Sequence, residues 1–166
     1  MRIALNAGHT KIGSGVGASK YLVESVETRK IVGELISLLA DTKHEVIPII
    51  IDKSSNNLNK AVLQANNEKA DLFISIHLNA GCGSGCEAYT YKGAKLTEAT
   101  NILNNLSALG FKNRGIKDGS NLYVIKNTKM KAILIEVCFL DTLNDVALYK
   151  KVGVKKIAEA IKKGLS

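Results

Sequence analysis

Short apolar runs alternate with stretches of helical periodicity along the whole chain, and that alternation constrains its fold more than any other feature. Arg2–Asn6 reads as a first strand, and Ser14–Ser19 as a Gly-rich loop. From Leu22 to Ala40 the apolar residues fall at helical spacing: Ile31, Leu35 and Leu38 on one line, Val32, Ile36 and Leu39 on the next. Glu45–Ile51 is a β-branched run around Pro48, the only proline, which an edge strand tolerates. A helix over Leu58–Glu68 follows, with Ala61, Leu63 and Ala65 inside it. Leu72–His77 is a short buried strand, Glu87–Tyr91 another, and Ala94–Leu109 a helix. Strands over Leu122–Ile125 and Ala132–Val137 come next. Val154–Leu165 closes the chain as an amphipathic helix, with Ile157, Ala158 and Ile161 inward and Lys155, Lys156, Lys162 and Lys163 outward. The pattern predicts a single-domain α/β fold: a mostly parallel central sheet of about six strands flanked by helices on both faces. The 166 residues are one domain's worth. They are enough to bury about two thirds of the unfolded surface without staples.

Charge narrows the partners. Lys and Arg number 23 and Asp and Glu 15, a formal net charge of +8. Such a balance suits an anionic partner, whether nucleic acid, an acidic membrane face or an acidic wall polymer. Arg occurs only at Arg2, Arg29 and Arg114, which argues against a sequence-specific DNA reader built on Arg forks. Aromatics are 5% and Trp is absent, so a stacking platform for single-stranded nucleic acid is excluded as well. No apolar run reaches transmembrane length. Met1–Asn6 is too soon interrupted for a signal peptide, so the expectation is synthesis in the cytoplasm. Three cysteines, an odd number, argue against a disulfide framework. The spacing Cys82-Gly83-Ser84-Gly85-Cys86 still permits a short-loop disulfide or a stray metal contact.

In parallel α/β folds ligands bind beyond the carboxyl ends of the strands. Asn6-Ala7-Gly8-His9 follows the first strand, Ser75-Ile76-His77-Leu78-Asn79-Ala80 ends the third, and Glu136 ends the last. Glu24 and Glu27 open the long helix nearby, where acids also answer the helix dipole. Two His and one carboxylate are the donors of a catalytic zinc site with an open position for water, and a separate Glu can take the water's proton. His44, in the polar turn after Asp41-Thr42-Lys43, reads as a surface residue. Glu136 sits between Ile135 and Val137 in a buried strand, where an unpartnered carboxylate is costly, so it has a partner or a job. No second strand-end carboxylate is visible to pair with it, which argues against a glycosidase.

These blocks fall in a known order. Asn6-Ala7-Gly8-His9 is followed by Glu24, then Ala65-Asn66, then Ser75-Ile76-His77-Leu78-Asn79-Ala80. Gly85–Tyr91, Asn113-Arg114-Gly115-Ile116-Lys117 and Leu122-Tyr123-Val124-Ile125 come after, and Leu134-Ile135-Glu136-Val137-Cys138-Phe139-Leu140 is last, with Asn144-Asp145 just beyond. Over essentially its whole length the chain resembles the zinc-dependent N-acetylmuramoyl-L-alanine amidases of bacterial autolysins and phage endolysins, the amidase-3 family. The Ser-Ile-His and Ile-Glu-x-x-Phe-Leu blocks carry the resemblance most specifically.

The resemblance implies one Zn²⁺ held by His9, Glu24 and His77, with Glu136 as the base. Glu27 is the rival third ligand; Glu24 is preferred because Ile31, Leu35, Leu38 and Leu39 then keep the family's spacing. Asn79 and Arg114 are the candidate substrate-binding residues. The implied substrate is peptidoglycan, cleaved between the lactyl group of N-acetylmuramic acid and L-alanine. Residues 1–166 read as the catalytic domain, with no wall-binding domain, acting on the wall after release in phage or mother-cell lysis. The basic surface would also meet anionic wall polymers. Rival readings are a zinc-dependent stem-peptide carboxypeptidase or endopeptidase, and a non-enzymatic basic wall-binding module. Three positions depart from the family: Asn6-Ala7 replaces Asp-Pro, Ala61 stands where Arg is common, and Met130-Lys131 replaces the Pro before the last strand.

Overall fold

The computed structural model describes residues 1–165. Its strands are β1 (Arg2–Ala7), β2 (Glu45–Ile49), β3 (Leu72–Asn79), β4 (Cys86–Thr90), β5 (Asn113–Asp118) and β6 (Lys131–Phe139). Its helices are α1 (Glu24–Leu39), α2 (Asn57–Asn67), α3 (Thr97–Ala108), α4 (Tyr123–Asn127), α5 (Leu143–Val152) and α6 (Val154–Lys163). One sheet has the order β2-β1-β3-β6-β4-β5. The first four strands in that order are parallel; β4 runs antiparallel to β6, and β5 parallel to β4. Pro48 does lie on an edge strand, opposite Leu5, where its missing N–H costs no ladder bond on the solvent side.

The central strands are buried on both faces, so their apolar runs are nearly continuous. Their pleat sorts the side chains into two cores. Ile3, Leu5, Leu72, Ile74, Ile76, Ile133 and Ile135 pack under α1, α3 and α6, against Ile31, Leu35, Ile102, Leu106, Ile157 and Ile161. Ala4, Phe73, Ala132 and Leu134 face the other way, onto Ala61, Val62 and Ala65 of α2 and Val124 and Ile125 of α4. This second layer is the smaller, and its polar continuation builds the site. Among the described residues no helix is long and apolar enough to cross a membrane.

Three expectations need correction. Leu122–Ile125 is no strand: Tyr123–Asn127 is a short helix. Its β-branched residues are claimed by packing, with Val124 and Ile125 in the second core and Tyr123 Oη accepting from Asn59 Nδ2 of α2 at 2.9 Å. The sixth strand is instead β5, whose Asn-Arg-Gly-Ile-Lys-Asp sequence lacks an apolar alternation because it is a half-exposed edge. In α2 it is Val62, not Leu63, that faces the core; Leu63 is 50% exposed. Helix α5 was not anticipated from the sequence. The three thiols are free, with Cys86 and Cys138 buried and Cys82 exposed, so no short-loop disulfide forms.

The two leucines test the layering. Leu35 is fully buried in α1, so Leu35→Ala is expected to cost about 2–5 kcal/mol. Leu63→Ala is expected to stay within roughly 0.5 kcal/mol. Urea denaturation of both variants checks the contrast.

Candidate metal and catalytic site

The site grows out of the pleat of the second face. Along β3, Phe73 is followed on the same side by Ser75 and His77; along β6, Ala132 and Leu134 are followed by Glu136. Each strand is thus apolar at its base and polar at its carboxyl end. Register then sets Ser75 beside Asn6 and His77 beside Glu136. His9 stands just past β1 with φ +64°, a left-handed conformation uncommon for a non-glycine residue and frequent at functional sites. Gly8 before it cannot be replaced without collision: a Cβ there would lie 2.5 Å from the His77 ring. Helix α1 belongs to the opposite layer, and its first residue, Glu24, reaches over the sheet's end.

His9, Glu24 and His77 each offer one donor atom, all within 4.8 Å of one another. His9 Nε2 and His77 Nδ1 both lie 3.1 Å from Glu24 Oε1. The outer ring nitrogens assign the tautomers. His9 Nδ1 lies 3.1 Å from the Gly15 carbonyl, which only accepts, so Nδ1 carries hydrogen. Ser75 Oγ donates to Asn6 Oδ1 at 2.7 Å and therefore accepts from His77 Nε2 at 3.0 Å. The two inner nitrogens are left as bare lone pairs aimed at a carboxylate oxygen. Three converging lone pairs require a cation between them. Tetrahedral donors at about 2.0–2.1 Å from a metal ion stand roughly 3.3 Å apart, close to the spacing found. The donor set fits a metal ion, with second bonds that orient both rings as metal-ligating imidazoles require.

The electrostatics agree. Burial alone would raise the Glu24 pKa, but the hydrogen bonds and charge of His77 and His9 hold it down to about 2. Glu24 Oε1 also accepts from Leu78 N at 3.2 Å and Oε2 from Ala18 N at 3.0 Å. Burial lowers the His77 pKa more than Glu24 raises it, so its ring stays neutral. For His9 burial is outweighed by Glu24 and Gly15, and its pKa is raised, so it is the imidazole that takes the proton when no metal does.

Glu136 faces this cluster from β6. Its Oε2 is buried and has no hydrogen-bond partner among the described residues. Burial, then the charges of Glu24 and Glu87, push its pKa up to about 8. A cleft of about 330 Å³ opens onto His9, His77 and Glu136, walled by Leu58, Leu122 and Tyr123 and floored by Tyr89 and Leu134. Glu27 is elsewhere: it accepts from Tyr149 Oη at 2.9 Å and pairs with Lys30 at 2.8 Å. His44 is half-buried at the far end of the sheet, before β2.

Glu87 is the residue that the sequence motifs leave out. It lies directly opposite Glu136 across the β4–β6 pair and is buried, so a second strand carboxylate does accompany Glu136. The same signal marked it, an acid inside an apolar strand. Unlike Glu136 it is fully partnered: Asn79 Nδ2 and Tyr89 Oη donate to Oε1, both at 2.8 Å, and Arg114 Nε and Lys117 Nζ to Oε2, both at 2.5 Å. Asn79 and Arg114 thus both hold Glu87.

Comparison with known proteins agrees with this architecture. Residues 3–166 match the amidase-3 family model, described as N-acetylmuramoyl-L-alanine amidase. The chain belongs to the amidase-3 family. It is 33% identical over 153 residues to a sporulation-specific N-acetylmuramoyl-L-alanine amidase of Bacillus subtilis, covering 87% of this chain and 58% of that one. It is 31% identical over 174 residues to the endolysin of Bacillus phage SPP1, covering 98% and 64%. The catalytic domain of the CD27L endolysin, targeting Clostridia difficile, superposes with a TM-score of 0.89 at 31% identity, covering 99% of this chain and 96% of that one. The chain spans about half the length of curated relatives from Clostridium perfringens. In this amidase-family domain Asn6 does the anchoring at its departure from the family motif. Its Nδ2 donates to the Ile49 carbonyl at 3.0 Å and its Oδ1 accepts from Ser75.

The buried acid gives a pH signature in the metal-stripped protein. The native state holds the Glu136 proton up to about pH 8, whereas an ordinary carboxyl releases it near 4.5. Its contribution to stability is therefore full below about pH 4.5 and is lost as pH rises through about 8. Glu136→Gln removes that loss. The melting temperature of E136Q minus wild type is expected to grow between pH 5 and 9, by the equivalent of about 1–3 kcal/mol. A pH-independent difference would contradict it.

Proposed function

We propose that the chain is a zinc-dependent amidase that hydrolyses the bond between the lactyl group of N-acetylmuramic acid and L-alanine in peptidoglycan, and that it acts at the bacterial cell wall. The observation that carries the reading is the pairing of an unpartnered Glu136 carboxyl with three lone-pair donors at one end of one sheet face. His9, Glu24 and His77 would hold the zinc ion, which when bound supplies a Lewis acid and acidifies water.

The chain's own groups do the rest. The cleft seats the amide between the His77 and Glu136 side chains, with Leu58 and Tyr123 excluding water from the apolar part of the substrate. Glu136 Oε2 has no competing hydrogen bond, so it is free to accept the proton of the attacking water. The same oxygen then returns that proton to the departing alanine nitrogen. A strand holds Glu136, so the proton travels through a fixed position rather than a mobile loop. The Asn6–Ser75–His77 chain keeps one imidazole in its ligand tautomer, and the Gly15 carbonyl does so for the other.

Digestion of purified peptidoglycan tests the reading. New N-terminal L-alanine, lost with a chelator and restored by zinc, is expected; new reducing sugar ends or other new amines would overturn it. Glu136→Ala is expected to lower turnover by about 10²–10⁴-fold with bound zinc unchanged. His77→Ala is expected to lose the metal as well, read by metal analysis of the purified variants.

A further inference from the structure

The Glu87 cluster holds more positive charge than Glu87 uses. Strand β5 carries an extra residue against β4: Cys86 faces Asn113, but Ala88 faces Ile116. The bulge centres on Gly115, whose φ of +82° suits glycine although a Cβ there would touch nothing. In a regular strand Arg114 and Lys117 would point to opposite faces. The bulge turns both onto Glu87 Oε2. The Arg114 guanidinium also stacks over the Phe139 ring at 5.1 Å, which fixes its plane.

Glu87 is saturated by its four donors, and the two cations are not. Arg114 spends Nε on Glu87 and Nη1 on the Ser84 carbonyl at 3.5 Å, and its Nη2 has no hydrogen bond among the described residues. Lys117 gives one of its three hydrogens to Glu87. Their side chains are 31% and 36% exposed. Two cations against one carboxylate leave one positive charge in excess, beside a Glu136 whose burial keeps its proton. A helical or loop anion has no claim on it; the open side faces the cleft, where Tyr89 lies between Glu87 and the cleft wall.

We propose that Arg114 and Lys117, set side by side on Glu87 by the Gly115 bulge, form a carboxylate-binding subsite for an acidic residue of the bound peptide. The inference rests on the amidase reading for its substrate and names the part of the peptide that the site selects. Spacing supports it. Glu87 is one strand, about 5 Å, from Glu136. A carboxylate on the second residue beyond the scissile amide lies roughly 7 Å along an extended peptide. The free N–H groups of the guanidinium and ammonium match a carboxylate's paired oxygens.

Two measurements on the full chain separate this subsite from the amidase reading. Calorimetry compares an L-alanyl dipeptide whose second residue carries a free α-carboxylate with the same dipeptide amidated there. Wild type is expected to bind the acid about five- to tenfold more tightly. Lys117→Met is expected to bring the two ligands within about twofold by weakening only the acid, and Lys117→Arg to keep the preference. Cleavage of the matching muramoyl dipeptides is then expected to show the same preference in KM, with kcat little changed. Equal binding of both dipeptides by wild type, or a loss on both ligands alike in K117M, overturns the subsite. Preferred binding of the acid without any cleavage supports the subsite and strikes the amidase reading. Cleavage without preference strikes the subsite alone.

Discussion

The carboxylate of Glu24 is the interaction on which the site depends. It is the one group that ties the two halves of the structure together at the functional end: helix α1 from one layer, the β1 loop through His9, and β3 through His77 and the Leu78 amide. A buried carboxylate is tolerated only where donors or charges meet it. Here two backbone amides satisfy part of the demand and two imidazoles face the rest. Because the outer nitrogens of both rings are already committed, only a proton or a metal ion can complete the arrangement. Binding a cation is therefore built into the way the layers meet, rather than added to a finished surface.

The pleat explains why chemistry collects on one face. On the α1–α3–α6 side the apolar residues continue to the strand ends, Ile76 and Leu78 in β3 and Ile135 and Val137 in β6. On the α2–α4 side they stop early, and His77 and Glu136 take the next positions. Helices α2 and α4 are short and cover only the base of that face, so the polar end stays open as the cleft. A one-residue slip between β3 and β6 would send His77 and Glu136 into the larger core, which is why the long apolar runs that fix register also fix the site.

Much of this was legible in the sequence, for physical reasons. The central strands announce themselves because burial on both faces demands continuous apolar runs. His9, His77 and Glu136 stand out because polar residues directly after such runs lie at strand ends. The edge of the sheet was illegible for the complementary reason. Strand β5 has one buried neighbour and no alternation, and its bulge breaks what period it has. Leu122–Ile125 carries strand propensity, yet tertiary packing against α2 makes it helical. Glu87 follows the same rule as Glu136, but its meaning depends on Arg114 and Lys117, and no one-dimensional pattern shows that a bulge brings both to one oxygen.

Glu87 and Glu136 show how one environment gives two neighbouring acids opposite characters. Both lie in buried strands, directly across from each other. Burial raises the proton affinity of each, but four donors more than offset it at Glu87, whose pKa is lowered. Glu136 has no such donors and keeps its proton. The fixed negative charge of Glu87 then adds to that of Glu24 in holding the Glu136 proton in place. The ion pairing at β5 therefore does more than brace an edge strand. It makes Glu87 a permanent anion and leaves Glu136 as the acid whose charge can change. A cation balancing Glu24 removes one of the two charges that oppose its ionisation. Loading the His9–Glu24–His77 cluster and readying Glu136 as a base are in this way one electrostatic event.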